Sequence, residues 1–211
     1  MQGDYDRAIA DYTEAIRLDP KHAWAYYRRG KAYRMKGEYD RAIADYTEAI
    51  RLDPRSATAY AHRADAYWGK DEFDQSIADC TEAIRLDPNA AKVYAYRGDA
   101  YHCKGEYDRA IADYTEAIRL DPNSAWDYSR RANAYLCKDE FARAIADCDE
   151  AIRLDPRYTW AYSSRGHAFA AKGDFRSAVA DHTEYLRLDP SDELVKQKLE
   201  KVLQEQARAQ G

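Results

Sequence analysis

The spacing of the prolines is the feature that most constrains this chain. The sequence has 211 residues and six prolines, and each proline lies 34 residues after the one before it. They are Pro20, Pro54, Pro88, Pro122, Pro156 and Pro190. Proline removes a backbone donor and pushes the preceding residue out of the helical region, so each one marks the end of a helix. The chain is therefore predicted to consist of tandem copies of one 34-residue unit.

Each unit is predicted to contain two helices. Across residues 23–56, apolar and small residues recur at spacings of three and four on two successive stretches, namely Tyr26, Tyr27, Gly30 and Tyr33, then Ala42, Ile43, Tyr46, Ala49 and Ile50. Between them, Gly37 can adopt the left-handed conformation that ends a helix. Asp71 and Asp139 replace this glycine in two units, and aspartate is among the few other residues tolerated there. Such a hairpin cannot bury its apolar faces alone and must stack on its copies.

The pattern resembles the tetratricopeptide repeat family. That family has an aromatic residue, Leu-Gly, Tyr, Ala, an aromatic residue and a terminal Pro at fixed positions. The unit at residues 23–56 matches at Tyr26, Gly30, Tyr33, Ala42, Tyr46 and Pro54. The resemblance implies an all-α fold, a right-handed α-solenoid of stacked helix-turn-helix repeats.

The domain organisation follows from this register. Residues 1–22 are expected to form a half repeat with the second helix only, and residues 23–190 five complete repeats. Residues 191–211 are expected to form a capping helix with one polar side. The helix predicted from about Asp4 to Leu18 carries more apolar surface than one neighbour can cover. We therefore expect either a weak homo-oligomer through this N-terminal edge or an upstream repeat that covers it.

A recurring arginine is the main departure from the family pattern. Arg29, Arg63, Arg97, Arg131 and Arg165 stand where the pattern has leucine, and aspartates recur as strictly in the second helices. One interpretation is a series of ion pairs inside the stack, with the guanidinium of Arg97 near Asp79 or Asp113. The other is a row of arginines that face a ligand.

The candidate binding residues come from the resemblance, which implies that the first helices line a concave groove. Ligand-facing sites are expected at the second, fifth, sixth, ninth, twelfth and thirteenth positions of each repeat. The candidates are Trp24, Tyr27, Arg28, Lys31, Arg34, His62, Trp68, Lys92, Tyr96, Trp126, Arg130, Asn133 and Trp160. All four tryptophans are in this set, and tryptophan and arginine often anchor protein interfaces. Alternatively, a tryptophan near a helix start covers the joint to the preceding repeat.

One known mode of binding in the family is not matched. Some members hold acidic C-terminal tails of heat-shock chaperones with a clamp of lysine, asparagine and arginine from three repeats. The corresponding positions here are Tyr27 and Lys31, then His62, then Lys92 with Tyr96. The sequence therefore does not predict that ligand.

Composition and side-chain spacing exclude several other functions. The 33 Lys and Arg against 38 Asp and Glu give a net charge of −5, which argues against a nucleic-acid partner. No apolar run approaches the roughly 20 residues of a membrane span, and the N-terminus lacks the pattern of a signal peptide, so a cytoplasmic protein without a membrane partner is expected. The histidines and cysteines show no zinc or catalytic spacing, so no metal, cofactor or catalytic residue is predicted.

The sequence favours a non-catalytic scaffold that binds a protein, either as a peptide or as a partner helix, in its concave groove. Three arginines or lysines of the first repeat, Arg28, Lys31 and Arg34, make the N-terminal end of this groove basic. Two alternatives remain open: a self-assembling structural protein, and a regulatory fragment of a larger enzyme.

Overall fold

The computed structural model describes residues 2–210, in which it contains twelve α-helices and no strand. The helices are α1 (Gln2–Leu18), α2 (Ala23–Met35), α3 (Tyr39–Leu52), α4 (Ala57–Trp68), α5 (Phe73–Leu86), α6 (Ala91–Cys103), α7 (Tyr107–Leu120), α8 (Ala125–Leu136), α9 (Phe141–Leu154), α10 (Thr159–Ala171), α11 (Phe175–Leu188) and α12 (Glu193–Gln210). Each second helix from α3 to α11 ends two residues before a proline. The predicted all-α fold of helix pairs is confirmed.

The chain divides into two compact units. Unit 1 holds α1 to α6 and ends at Gly105, and unit 2 holds α7 to α12 and begins at Glu106. Inside each unit, every helix packs against the helices that precede and follow it, and first helices of consecutive repeats also touch. Contacts inside a unit are thus local along the chain, as expected for stacked repeats.

The turns between paired helices use the left-handed conformation that the sequence predicted. Gly37, Gly105 and Gly173 have φ of 75°, 75° and 78°, and Asp71 and Asp139 have φ of 60° and 57°. A Cβ added to Gly37 would meet no atom within 4 Å. Backbone conformation alone therefore decides which residues fit this turn.

Replacing Gly37 with alanine should lower the free energy of unfolding by about 1 kcal/mol, because a left-handed conformation strains a residue with a Cβ. Gly37→Asp should cost less, since the chain already places aspartate at the same position in Asp71. Urea unfolding of the full chain, followed by circular dichroism, measures both. Equal costs for the two variants would contradict this account.

The core is built mainly from alanines, and one position of each second helix from α3 to α11 carries a larger, fully buried side chain. Tyr46, on α3, is fully buried, and a Cβ added to Gly30 on α2 would lie 3.0 Å from its ring. In the next repeat, Ala64 faces Cys80 within one core cluster. Wherever the first helix has glycine at this position, a ring occupies the second helix, and wherever it has alanine, the second helix has cysteine. Residue size is thus matched across each helix pair.

Arginine–aspartate pairs tie the two helices of a repeat together. The Arg63 side chain donates from Nε and from one terminal nitrogen to the two carboxylate oxygens of Asp79, at 2.7 and 2.8 Å. Its other terminal nitrogen donates to Thr47 of the preceding repeat at 2.9 Å. The same carboxylate geometry recurs in three other pairs, Arg29–Asp45, Arg131–Asp147 and Arg165–Asp181.

The pairing interpretation is therefore confirmed for these four arginines. The carboxylate lies 16 residues after the arginine, in the second helix of the same repeat. Arg97 donates to Thr81 at 3.1 Å, and this hydrogen bond is equivalent to the one from Arg63 to Thr47 in the preceding repeat. The pairing of Arg97 with Asp79 or Asp113 stays a prediction.

Candidate functional site

The first helices pack against one another as well as against their own second helices. Consecutive first helices contact one another, α2 with α4 and α4 with α6 in unit 1, and α8 with α10 in unit 2. Among the described residues, consecutive second helices share fewer contacts. We call the surface carried by the predicted positions of these first helices the first-helix face.

The tryptophans are the largest exposed groups on this face. Trp24, Trp68, Trp126 and Trp160 are 52%, 43%, 50% and 64% exposed. Large apolar side chains usually lie in the core of a soluble protein, so this degree of exposure needs an explanation. The exposure predicted for a tryptophan that anchors a ligand is present at all four positions.

Two of the tryptophans are stacked with an arginine one helical turn further on. The guanidinium of Arg28 lies 4.9 Å from the centre of the Trp24 ring, and that of Arg130 lies 4.6 Å from the Trp126 ring. A cation over an aromatic ring is attracted by the charge distribution of the ring. In both pairs the guanidinium lies over one face of the indole, so the charged group and the ring are held together on the surface.

A second cluster lies between the first two repeats. The rings of Tyr27 and His62 are 5.3 Å apart, and the His62 ring is stacked on Tyr46 at 6.0 Å. Burial lowers the pKa of His62, and the charge of Arg34 lowers it further. Arg34 forms an ion pair with Asp65 of the next repeat at 2.7 Å. The cluster is therefore less basic than the sequence analysis implied, because Asp65 compensates Arg34.

Two donors in this cluster are buried without a hydrogen-bond acceptor. They are the Tyr46 hydroxyl and the Nε of Arg34. Buried donors in folded proteins nearly always have a partner, which is often water. An acceptor brought to this place by water or by a ligand would satisfy them.

The remaining predicted residues differ in how accessible they are. Lys31, Lys92 and Asn133 are exposed. Tyr96 is half-buried and packs against the core cluster that contains Cys80, so only part of its surface can meet a ligand.

Sequence reasoning missed the aromatic residues that support the tryptophans. Tyr12 of α1 meets Trp24 edge to face at 5.7 Å, and His22 stacks on the same indole at 6.1 Å. In unit 2, Tyr158 meets Trp126 edge to face at 6.0 Å. His22 and Tyr158 occupy the same repeat position, just before a first helix, where two other repeats have serine. The replacement of serine by an aromatic residue at this position was the sequence signal for these contacts.

A buried carboxylate was also missed. Asp127 is 7% exposed at a position where the other repeats have Ala25, Ala59, Val93 and Ala161. Burial raises the pKa of Asp127, while a hydrogen bond with Ser124 and the charge of Arg130 act in the opposite direction. Asp127 is therefore an electrostatic partner for the arginine that stacks on Trp126.

Nowhere in the described part of the chain do three or more His, Cys, Asp or Glu side chains form a group that could hold a metal ion. None of the helices between residues 2 and 210 is long and apolar enough to cross a membrane.

Family models match most of the chain. A model described as TPR repeat matches residues 1–37, 30–71 and 98–139. Three models described as tetratricopeptide repeat match residues 57–90, 80–112 and 125–158. No curated protein sequence matches.

Solved structures with the same fold include three of particular interest. YrrB, a TPR protein with an unusual peptide-binding site, is 19% identical, with a TM-score of 0.74 over 90% of this chain and 97% of its own. MamA is 26% identical, with a TM-score of 0.73 over 80% of this chain and 92% of its own. The first TPR of Spaghetti (RPAP3), bound to the HSP90 peptide SRMEEVD, is 36% identical, with a TM-score of 0.55 over 56% of this chain and 93% of its own.

The repeat length, the helix pairs and the family models lead to the same conclusion. The structural neighbours share the fold, and the matched models span more than half of the sequence. The chain belongs to the tetratricopeptide repeat family.

Proposed function

We propose that the first-helix face binds a peptide or a partner helix with aromatic and acidic side chains, and that the chain acts as a non-catalytic interaction scaffold. The observation that carries this proposal is the exposure of four tryptophans, between 43% and 64%, on the first helices. Tryptophan is strongly enriched among the residues that dominate binding energy at protein interfaces.

Support for an aromatic ligand comes from the shape of the exposed groups. The indole of Trp126 is a flat apolar surface, with the guanidinium of Arg130 over one face and the Tyr158 ring in a T-shaped contact with it. Holding a side chain in place before binding reduces the entropy lost when the ligand arrives. Rings in the ligand could stack against such a surface.

Support for acidic groups in the ligand comes from the first repeat. Arg28 and Lys31 are exposed on α2, and Arg34 is half-buried beside Asp65. With Asp65 compensating Arg34, two positive charges remain for a ligand on this part of the face. Guanidinium and ammonium groups bind carboxylates well.

Relatives support binding of this general kind. One solved relative, the first TPR of RPAP3, is bound to an HSP90 peptide. This chain has Tyr27 and His62 at two of the positions where the chaperone clamp has lysine or asparagine, so we propose a different ligand for it.

Removing the Trp126 indole should weaken binding by about 2 kcal/mol, or roughly 30-fold, while stability changes little, because the side chain is half exposed. The ligand would be selected from a displayed peptide library on the full chain, and Kd then measured by tryptophan fluorescence and calorimetry for the parent and Trp126→Ala.

A matched control is Arg153→Ala, an exposed residue of the second helix α9. It should bind the selected peptide as the parent does. The proposal fails if Trp126→Ala loses stability and keeps its affinity, or if Arg153→Ala loses as much affinity as Trp126→Ala.

A further inference from the structure

One 14-residue sequence occurs in two different surroundings in unit 1. Residues 5–18 of α1 and 39–52 of α3 both read YDRAIADYTEAIRL. Helix α3 packs between α2 and α4, whereas α2 is the one described helix that packs extensively against α1. The contact of α1 with α2 corresponds to that of α3 with α4. The neighbour that α1 lacks is therefore a helix in the place that α2 takes on α3.

The difference in exposure between these two helices marks the surface that such a neighbour would cover. Five side chains that are exposed or half-buried on α1 have buried counterparts on α3, 34 residues further along the chain. On α1 they are Ala8, Asp11, Tyr12, Ala15 and Ile16. Leu18, close to them at the end of the helix, is 69% exposed. We call these six residues the open face of α1.

Asp11 gives the open face a negative charge without a partner. On α3, the counterpart Asp45 accepts two hydrogen bonds from the Arg29 guanidinium of α2, both at 2.8 Å. Asp11 is exposed, and within residues 2–210 no cation pairs with its carboxylate. A guanidinium on a helix that covers α1 would complete this pair, because its fork of donors matches a carboxylate.

Tyr12 limits the size of the residue that can follow such an arginine. Its counterpart Tyr46 lies against Gly30, which follows Arg29, and a Cβ at Gly30 would be 3.0 Å from the ring. The repeat with Ala64 in place of glycine has the smaller Cys80 opposite. Since α1 has tyrosine, the residue after the arginine should be glycine.

Two tyrosines of α2 complete the pattern. Tyr26, three residues before Arg29, packs against the cluster that contains Ala49 and Ile50. Tyr33, four residues after Arg29, packs against the cluster of Ala42 and Tyr46. Ala8, Tyr12, Ala15 and Ile16 are the same residues on the open face.

We propose that the open face of α1 binds a helix of a partner protein with the pattern Tyr-x-x-Arg-Gly-x-x-Tyr. The arginine would pair with Asp11, the glycine would lie against Tyr12, and the first tyrosine would cover Ala15 and Ile16. The bound helix would complete the opening half repeat. This surface belongs to a second helix, so the proposal does not depend on ligand binding at the first-helix face.

A second copy of this chain is a poorer occupant than such a partner. Its C-terminal helix α12 packs on α11 as a further first helix would. In the 34-residue register, however, Leu199 and the exposed Glu200 of α12 take the places of Arg165 and Gly166. Stacked on α1, this helix would leave Asp11 without a cation and place a glutamate side chain against Tyr12.

The test is binding of a fluorescently labelled peptide with the sequence of residues 20–38, acetylated and amidated at its ends, to the full chain. Fluorescence anisotropy should give a Kd below about 0.5 mM, a modest affinity because the free peptide must order on binding. The peptide with Arg29→Gln and the peptide with Gly30→Leu should each bind at least about tenfold more weakly.

Variants of the chain locate the site. Asp11→Asn should weaken the peptide at least about tenfold, because the charge that pairs with its arginine is removed. Glu14→Gln is the matched control, since Glu14 is exposed on the same helix, pairs with Arg17 and lies outside the open face. Asp11→Arg should abolish binding of the parent peptide, and a peptide with Arg29→Asp should bind this variant at least about tenfold tighter than it binds the parent chain.

Several outcomes would overturn the proposal. They are no binding of the peptide at about 1 mM, equal affinity of the Gly30→Leu peptide, and unchanged affinity in Asp11→Asn. Loss of peptide binding in Trp126→Ala would also overturn it, since the peptide would then lie on the first-helix face. Light scattering of the chain alone should show a monomer at several hundred micromolar. A dimer that Asp11→Arg dissociates would make a second copy the occupant and contradict the proposal.

Discussion

Replacing Arg63 with leucine should lower the free energy of unfolding by about 3 kcal/mol, more than replacing Arg63 and Asp79 together. The side chains of this pair are only 16% and 9% exposed. Removing the arginine alone leaves a buried carboxylate without its cation, which is strongly destabilising. Leucine at both positions removes the carboxylate as well, and the family pattern itself has leucine at the arginine position.

Urea unfolding of the full chain measures all three proteins. Arg51→Leu is a matched control, because Arg51 pairs with Glu48 at 2.6 Å but is 64% exposed. That change should cost less than about 1 kcal/mol, as exposed ion pairs contribute little. If Arg63→Leu and the double variant unfold at the same urea concentration, Asp79 does not depend on Arg63, and the ion pair has no structural role.

The arginine–aspartate ion pairs could be predicted from the sequence only in part. The strict recurrence of arginine and aspartate predicted their pairing, and the structure confirms it in four repeats. Sequence could not choose between the aspartate 18 residues before Arg97 and the one 16 residues after it, because both lie on adjacent second helices. In the four repeats where the pair is seen, the carboxylate is the one 16 residues after the arginine, and the repeat pattern alone does not encode that choice.

The features of the first-helix face were likewise predicted only in part. Trp24 and Trp126 were predicted to face a ligand because of their positions in the first helices, and both are about half exposed. Their contacts with Tyr12 and Tyr158 were missed, since those residues come from neighbouring helices or loops.

The close packing of Gly30 against Tyr46 predicts that the effect of Gly30→Ala on stability depends on the size of residue 46. A Cβ on Gly30 would lie 3.0 Å from two ring atoms of Tyr46 and 3.3 Å from the carbonyl oxygen of Ala42. Tyr46 is fully buried, so its ring cannot move into solvent. The second repeat solves the same packing problem with Ala64 and Cys80, both fully buried.

Gly30→Ala should therefore destabilise the parent by about 2 kcal/mol through overpacking. Tyr46→Cys alone should cost about 3 kcal/mol, because it leaves a cavity. In the Tyr46→Cys background, Gly30→Ala should instead stabilise by about 1 kcal/mol, since the methyl group fills part of that cavity and alanine favours a helix over glycine. The double variant would then have the residue pair that the second repeat uses.

A double-mutant cycle by urea unfolding measures this reversal, and the coupling energy should be about 3 kcal/mol. Ala64→Gly is the reverse control. It should lower the free energy of unfolding by about 1 kcal/mol, because Cys80 leaves room for the methyl group of Ala64 and glycine is less favourable than alanine in a helix. If Gly30→Ala changes the free energy of unfolding in the same direction in both backgrounds, the size of residue 46 does not determine which residue fits at position 30. The alternation of Gly–Tyr and Ala–Cys pairs would then reflect the history of repeat duplication, with no packing requirement behind it.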